Sequence, residues 1–263
     1  MNLNLNGKVA MVAAASKGLG FGIAKALSEE GALVSIASRD ETAIKATADK
    51  LKKETGNDVI GCSFDATDPS SILRWRDETI QHFGSVDCLV VNAGGPPTGN
   101  FDSFEDDDWQ SAFELTLLSS VRMIRAVLPA MRKQGGGSIL TITSSSIKEP
   151  IDILLLSNVM RSGVVSLAKS LSQQLAPENI RVNNLVPGRI DTDRVRSLDQ
   201  IAAEKNGVTA EQIKEAGEKQ IPLGRYGNTD DFGKAGAFLL SDAASYITGL
   251  TMTVDGGTMK TVW

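Results

Sequence analysis

Between Ser144 and Arg161 the chain reads SSSIKEPIDILLLSNVMR, bringing four serine hydroxyls and two cations into eighteen residues. Serine hydroxyls can hydrogen-bond a substrate oxygen, but they are far weaker acids than a phenol, which titrates at about pH 10. Arg161 follows Ser157 by four residues, so on a helix the two share one face. Its guanidinium stays charged and can hold a ribose hydroxyl, a carboxylate or an enolate; the alternative is a surface or subunit-contact residue. Lys148, if desolvated, can donate a proton or hold an anion. As a solvated loop lysine it would instead pair with Glu149.

A second group of residues suits a nucleotide. The apolar run VAMVAA leads into Ala14, Ala15, Ser16, Lys17, Gly18, Leu19 and Gly20, and a helical pattern follows at once. Glycines in such a turn let backbone approach a pyrophosphate, and the helix N-terminus offers free N–H groups and a favourable dipole. An ordinary tight turn is the alternative. The next apolar run ends at Ser38 and Arg39, with no acid before Asp40. An acid there would bind the ribose 2′-hydroxyl of NAD, whereas Arg39, with Lys17 in the loop, suits the 2′-phosphate of NADP. NADP(H) is therefore expected over NAD(H).

Short apolar runs alternate with longer amphipathic stretches, the pattern of a parallel sheet with crossover helices on both faces. VAMVAA, LVSIAS, VIGCSF, VDCLVVN, SILTIT, IRVNNLV and LTMTV give seven strands. Helices are expected from about residue 105 to 131 and from about 157 to 175. The expected fold is α/β, a Rossmann-type doubly wound seven-stranded parallel sheet in one domain spanning residues 1–263. Residues 193–221 are charged and helical in period, which reads as a small helical substrate lid.

Composition narrows the partners. With 263 residues and 41% hydrophobic content, the chain can bury one large core. A net charge of −5 argues against nucleic acid or anionic membrane and for a small-molecule substrate. One histidine, His82, leaves almost no material for a metal site or a Ser-His-Asp triad, so no metal is expected. Cys62 and Cys88 lie in strand-like runs without CxxC spacing and read as core. No leader-like segment and no run approaching about 18 apolar residues is present, so a cytoplasmic location is expected.

Taken in order, these segments resemble the short-chain dehydrogenase/reductase family. The turn at residues 13–20 is similar to its TGxxxGxG loop, with Ala13 and Ala14 in place of the Thr and first Gly. Asp65 and Ala66 resemble its adenine-contacting segment, and Asn92, Ala93 and Gly94 its NAG motif. Pro187, Gly188, Ile190 and Thr192 lie in a stretch similar to the PGxxxT motif that holds the nicotinamide carboxamide. The segments YITG and VDGG match its closing signature. The resemblance implies an active site of Asn, Ser, Tyr and Lys, the last two as YxxxK. Aligned through SILTITS and SGVVSLAKSL, Ser144 falls on the serine, Ser157 on the tyrosine and Arg161 on the lysine, where it would also bind cofactor. Thr116 falls on the asparagine. Only the serine is kept.

Three functions follow from that pattern. The first is an NADPH-dependent reductase adding hydride to a conjugated enone or carboxylate-bearing substrate. Its enolate would be held by Ser144, Arg161 or Lys148 and protonated on carbon by water, so no tyrosine is required. The segments KEP, SNVM and VDGGTMK are similar to those of a tyrosine-less branch of the family found in bacilysin biosynthesis. The second is carbonyl reduction of the 3-oxoacyl type with a relocated proton donor. The third is a non-catalytic NADP(H)-binding sensor or scaffold. The resemblance also implies a homotetramer, packed through the long helix near Trp109 and the helix at Ser157.

Overall fold

Strand-forming runs buried on both faces build the centre of the molecule, as the computed structural model, which describes residues 2–262, shows. The elements are β1 (Val9–Ala13), α1 (Gly18–Glu29), β2 (Leu33–Ser38), α2 (Glu41–Thr55), β3 (Val59–Ser63), α3 (Pro69–Phe83) and β4 (Cys88–Val91). They continue with α4 (Asp106–Ala112), α5 (Ser119–Gln134), β5 (Gly137–Ile142), α6 (Leu155–Gln174) and β6 (Ile180–Pro187). The chain ends with α7 (Asp193–Asn206), α8 (Ala210–Gln220), α9 (Thr229–Leu240) and β7 (Thr251–Val254). All seven strands pair in parallel, in the order β3-β2-β1-β4-β5-β6-β7. The expected seven-stranded doubly wound sheet is what forms.

Strand periodicity divides the core. In β1, Val12 packs with Ile23, Leu27, Ile44 and Phe232 under α1, α2 and α9, while Met11 packs with Trp75, Met123 and Ile139 under α3 and α5. Gly22 and Gly233 let α1 and α9 touch: a Cβ on Gly22 would collide with the carbonyl of Thr229, and one on Gly233 with that of Gly22. That contact anchors the helix leaving the phosphate loop. Between β1 and β4 the winding reverses, which opens a crevice beyond the C-terminal ends of those strands.

The helical stretch expected near residues 105–131 forms with a difference. Residues Phe113–Leu118 make a widened π turn that joins α4 to α5 without a break. Ser119 Oγ donates to the carbonyl of Leu115 at 2.6 Å and Ser120 Oγ to that of Thr116 at 2.7 Å, supplying partners where the regular ladder is interrupted.

Residues 193–221 fold as α7 and α8. Thr192 caps α7, Gly207 ends it in the left-handed region, and Thr209 with Gln212 forms a capping box for α8. Buried Asp199 on α7 takes a short ion pair from Arg189 and a 3.1 Å hydrogen bond from Tyr226 Oη. These bonds tie α7 to the chain leaving β6. Among the described residues no helix is long and apolar enough to cross a membrane.

Candidate active site

The crevice is a cleft of about 940 Å³ across the C-terminal ends of β1, β4, β5 and β6. Its β1 wall is the phosphate loop, where Ala14, Ser16, Lys17, Gly18 and Leu19 line the space. Ala14 carries φ +50, a left-handed conformation held without a glycine, and Gly18 carries φ +66. Gly20 lies behind the wall. A Cβ there would come within 2.6 Å of the Ala14 carbonyl oxygen, so the first turn of α1 rests directly on the loop backbone. Lys17, the residue preceding α1, is extended and makes no side-chain cap, leaving the first-turn N–H groups without a side-chain acceptor. Asn92 Nδ2 donates to the Ala14 carbonyl at 3.4 Å and joins the β4 end to this loop. Asn92, Ala93, Gly94, Pro187, Gly188, Ile190 and Thr192 all line the cleft. An anionic group fits the bare N-terminus of α1, and the cleft continues from it toward Ser144.

The other end of the cleft holds the hydroxyls and Arg161. Ser144 follows the last strand residues of β5, and its Oγ accepts a 3.2 Å hydrogen bond from the N–H of Ser146. Ser157 and Arg161 lie one turn apart on α6, and both line the cleft. Arg161 Nη1 donates to the carbonyl of Ile142 at 2.9 Å. Burial, and after it the nearby Arg194 guanidinium, push the Arg161 pKa down to about 10, which leaves it charged at neutral pH. The buried Thr143 hydroxyl, also on the wall, has no partner.

Several residues singled out from sequence lie off the cleft surface. Thr116 is buried in the π turn with its Oγ1 unpartnered. Lys148 is half-buried at the end of the short turn after Ser144, and it forms no ion pair with Glu149, whose Oε1 accepts from the Lys260 N–H at 3.2 Å. Ser38 is buried and donates to the Asp40 carbonyl at 3.3 Å, while Arg39 is exposed. Asp40 itself caps α2, accepting from the Ala43 N–H at 2.9 Å. Asp65 accepts from the Thr67 N–H at 2.8 Å beside buried Ala66. Neither tyrosine is a cleft residue: Tyr226 binds Asp199 and burial pushes its pKa up to about 12, and Tyr246 is fully exposed.

Two features were not singled out from sequence. Lys17 Nζ pairs with Asp193 at 2.6 Å, linking the phosphate loop to α7. Arg194, in the first turn of α7, lines the cleft, and its Nη2 lies 3.4 Å from where a Cβ on Gly95 would stand. A cation at the positive end of a helix was the sequence signal available for it.

Comparisons with known proteins agree with this architecture. The family described as enoyl-(acyl carrier protein) reductase matches residues 13–259. The 3-oxoacyl-[acyl-carrier-protein] reductase FabG of Escherichia coli (strain K12) is 34% identical over 255 residues, 97% of this chain and 98% of its own. L-sorbose reductase from Gluconobacter frateurii, solved with NADPH and L-sorbose, superposes with a TM-score of 0.94 at 28% identity over the whole of both chains. YwfH, an NADPH-dependent reductase involved in bacilysin biosynthesis, superposes with a TM-score of 0.92 at 29% identity, covering 97% of this chain and 99% of its own.

Proposed function

This chain belongs to the short-chain dehydrogenase/reductase family of NAD(P)-dependent oxidoreductases, and on that premise we propose that it reduces a conjugated carbonyl substrate with NADPH. The observation that carries the reading is Arg161: a charged group without a carboxylate partner, on the same cleft wall as Ser144 and Ser157, in a site with no phenol. Such a site is suited to holding developing negative charge and poorly suited to protonating an alkoxide.

NADPH, when bound, supplies hydride and leaves as NADP+. The bare α1 N-terminus would hold its pyrophosphate, and Asn92 to Gly94 with Pro187 to Thr192 would border the nicotinamide end. Arg39 would meet the 2′-phosphate, since Asp40 is spent on capping α2. The NADPH proteins among the similar structures support that preference. Hydride would add to the β-carbon of the substrate, the C=C π pair would shift to the bond between the α-carbon and the carbonyl carbon, and the carbonyl π pair would move onto oxygen to give an enolate. Ser144 donates a hydrogen bond to that oxygen, and Arg161 balances its charge. Water would then protonate the α-carbon as the enolate C=O re-forms, giving the saturated ketone and hydroxide, which solvent protons neutralise. Lys148 is adjacent but off the wall, and Thr116 would act by shaping the π turn against α6.

The same reading takes residues 1–263 as one domain in the cytoplasm, with 193–221 as a small helical substrate lid. It also takes the chain as a homotetramer packed through α4, α5 and α6, where Val159 is 48% exposed. Light scattering at micromolar concentration tests the assembly; a monomer contradicts it.

Carbonyl reduction is the second reading, favoured by FabG and L-sorbose reductase as relatives. NADPH oxidation against saturated ketones, 3-oxoacyl thioesters and conjugated enones separates the two. Turnover confined to enones, with saturated ketone as product, supports the first; alcohol from saturated ketones supports the second.

A further inference from the structure

Six cationic side chains line the cleft, and four of them have carboxylate partners. Lys17 pairs with Asp193, Lys50 with Glu54, Arg189 with Asp199, and Arg196 with both Asp191 and Asp193. Among the described residues, Arg161 and Arg194 have none. The acids of the cleft wall are engaged elsewhere. Asp191 and Asp193 hold the cations just named, Asp255 accepts from the Gly257 and Met259 N–H groups, and Glu149 accepts from Lys260.

The two unpaired arginines line the same cleft, close enough for the charge of Arg194 to act on Arg161. Arg161 rises from α6 at the end of β5, and Arg194 reaches from the first turn of α7 to Gly95 beyond β4. Two like charges approaching in a partly desolvated cleft repel, and Arg194 also sits at the unfavourable end of a helix dipole. A bound anion between them would reverse both costs. Such an anion would lie at the β4–β5 end, away from the α1 N-terminus at β1 where a pyrophosphate fits. The cleft wall also carries the apolar side chains Ile142, Ile153, Leu154 and Met259.

We propose that Arg161 and Arg194 form a clamp for the carboxylate of the substrate, so that the preferred substrate is a conjugated carbonyl acid with an apolar body. The proposal rests on the reductase reading above and adds Arg194 as a specificity-determining residue. Arg161, bridging the carboxylate and the carbonyl oxygen, would serve both binding and chemistry, whereas Arg194 would serve binding.

The test uses the full-length protein saturated with NADP+ and titrated by calorimetry with 3-benzoylpropionate and with its neutral amide. These saturated ligands report binding without turnover. The acid is expected to bind at least about tenfold more tightly than the amide, and Arg194→Met to remove that preference while amide affinity changes less than about threefold. Arg194→Lys should retain part of it. Equal affinity for acid and amide, no binding of either, or an unchanged preference in Arg194→Met overturns the clamp. A loss of NADP+ affinity in Arg194→Met, with the acid preference intact, also overturns it by assigning Arg194 to the cofactor phosphates. Turnover of trans-3-benzoylacrylate is measured separately: its absence with acid-selective binding retained counts against the reductase reading and leaves the clamp standing.

Discussion

Arg161 donates to the carbonyl oxygen of Ile142 at 2.9 Å, so the last peptide of β5 fixes the side chain by which α6 presents charge to the cleft. The carbonyl cannot neutralise the guanidinium. It positions the group and leaves further N–H donors for a substrate oxygen.

Removing that charge is therefore expected to damage chemistry more than folding. Arg161→Met should lower kcat by about 100- to 1,000-fold, the effect typical of losing a donor to a developing oxyanion, with NADPH affinity falling less. Arg161→Lys should recover part of the loss. Steady-state kinetics beside a thermal melt checks this; an unchanged kcat would remove Arg161 from the chemistry.

Backbone geometry in the phosphate loop yields a second expectation. Ala14 holds φ +50, a conformation costing about 1–2 kcal/mol for an L-residue relative to the right-handed region. Ala14→Gly should then raise Tm by about 2–4 °C. Gly20→Ala should act oppositely, because its Cβ would meet the Ala14 carbonyl oxygen at 2.6 Å. Fluorescence titration with NADPH should show at least about a tenfold loss of affinity.

Which parts of this site could be read from sequence follows from what fixes each residue. The phosphate loop and the Ser157–Arg161 pair were legible because a strand end and one helical turn set their positions locally. Arg194 was not, because its significance depends on which cations find carboxylates in the folded cleft, and Asp193 turns instead to Lys17 and Arg196. Asp40 could have met a ribose, but its carboxylate caps α2. The π turn at Thr116 was hidden because six residues of widened helix barely disturb an amphipathic pattern. The sheet itself was plain from seven apolar runs spaced by helices.

The link between loop and lid is expected to depend on pH. Hydrogen bonds from Lys17 and then Arg196 hold the Asp193 carboxyl below its usual range. A carboxylate with a lowered pKa stabilises the folded state fully above its unfolded value of about 4 and loses that contribution as pH falls through the lowered value. The Tm difference between the native protein and Asp193→Asn should thus be present at pH 6 and shrink in acid. A difference independent of pH would show that this carboxylate's ionisation contributes nothing.

Both cysteines should be inert. Burial pushes the Cys62 and Cys88 thiols up to about 12, leaving almost no thiolate at neutral pH. Iodoacetamide should leave activity unchanged and label neither residue until denaturant is added; mass spectrometry of the native protein decides it.

The position that hydride reaches distinguishes conjugate from carbonyl reduction. Using NADPH deuterated at the transferred position and trans-3-benzoylacrylate as substrate, NMR of the product locates the label directly. Deuterium on the carbon β to the ketone, in a saturated keto acid, is the predicted result. Deuterium on a carbinol carbon, with the double bond intact, would contradict conjugate reduction and assign the site to carbonyl chemistry.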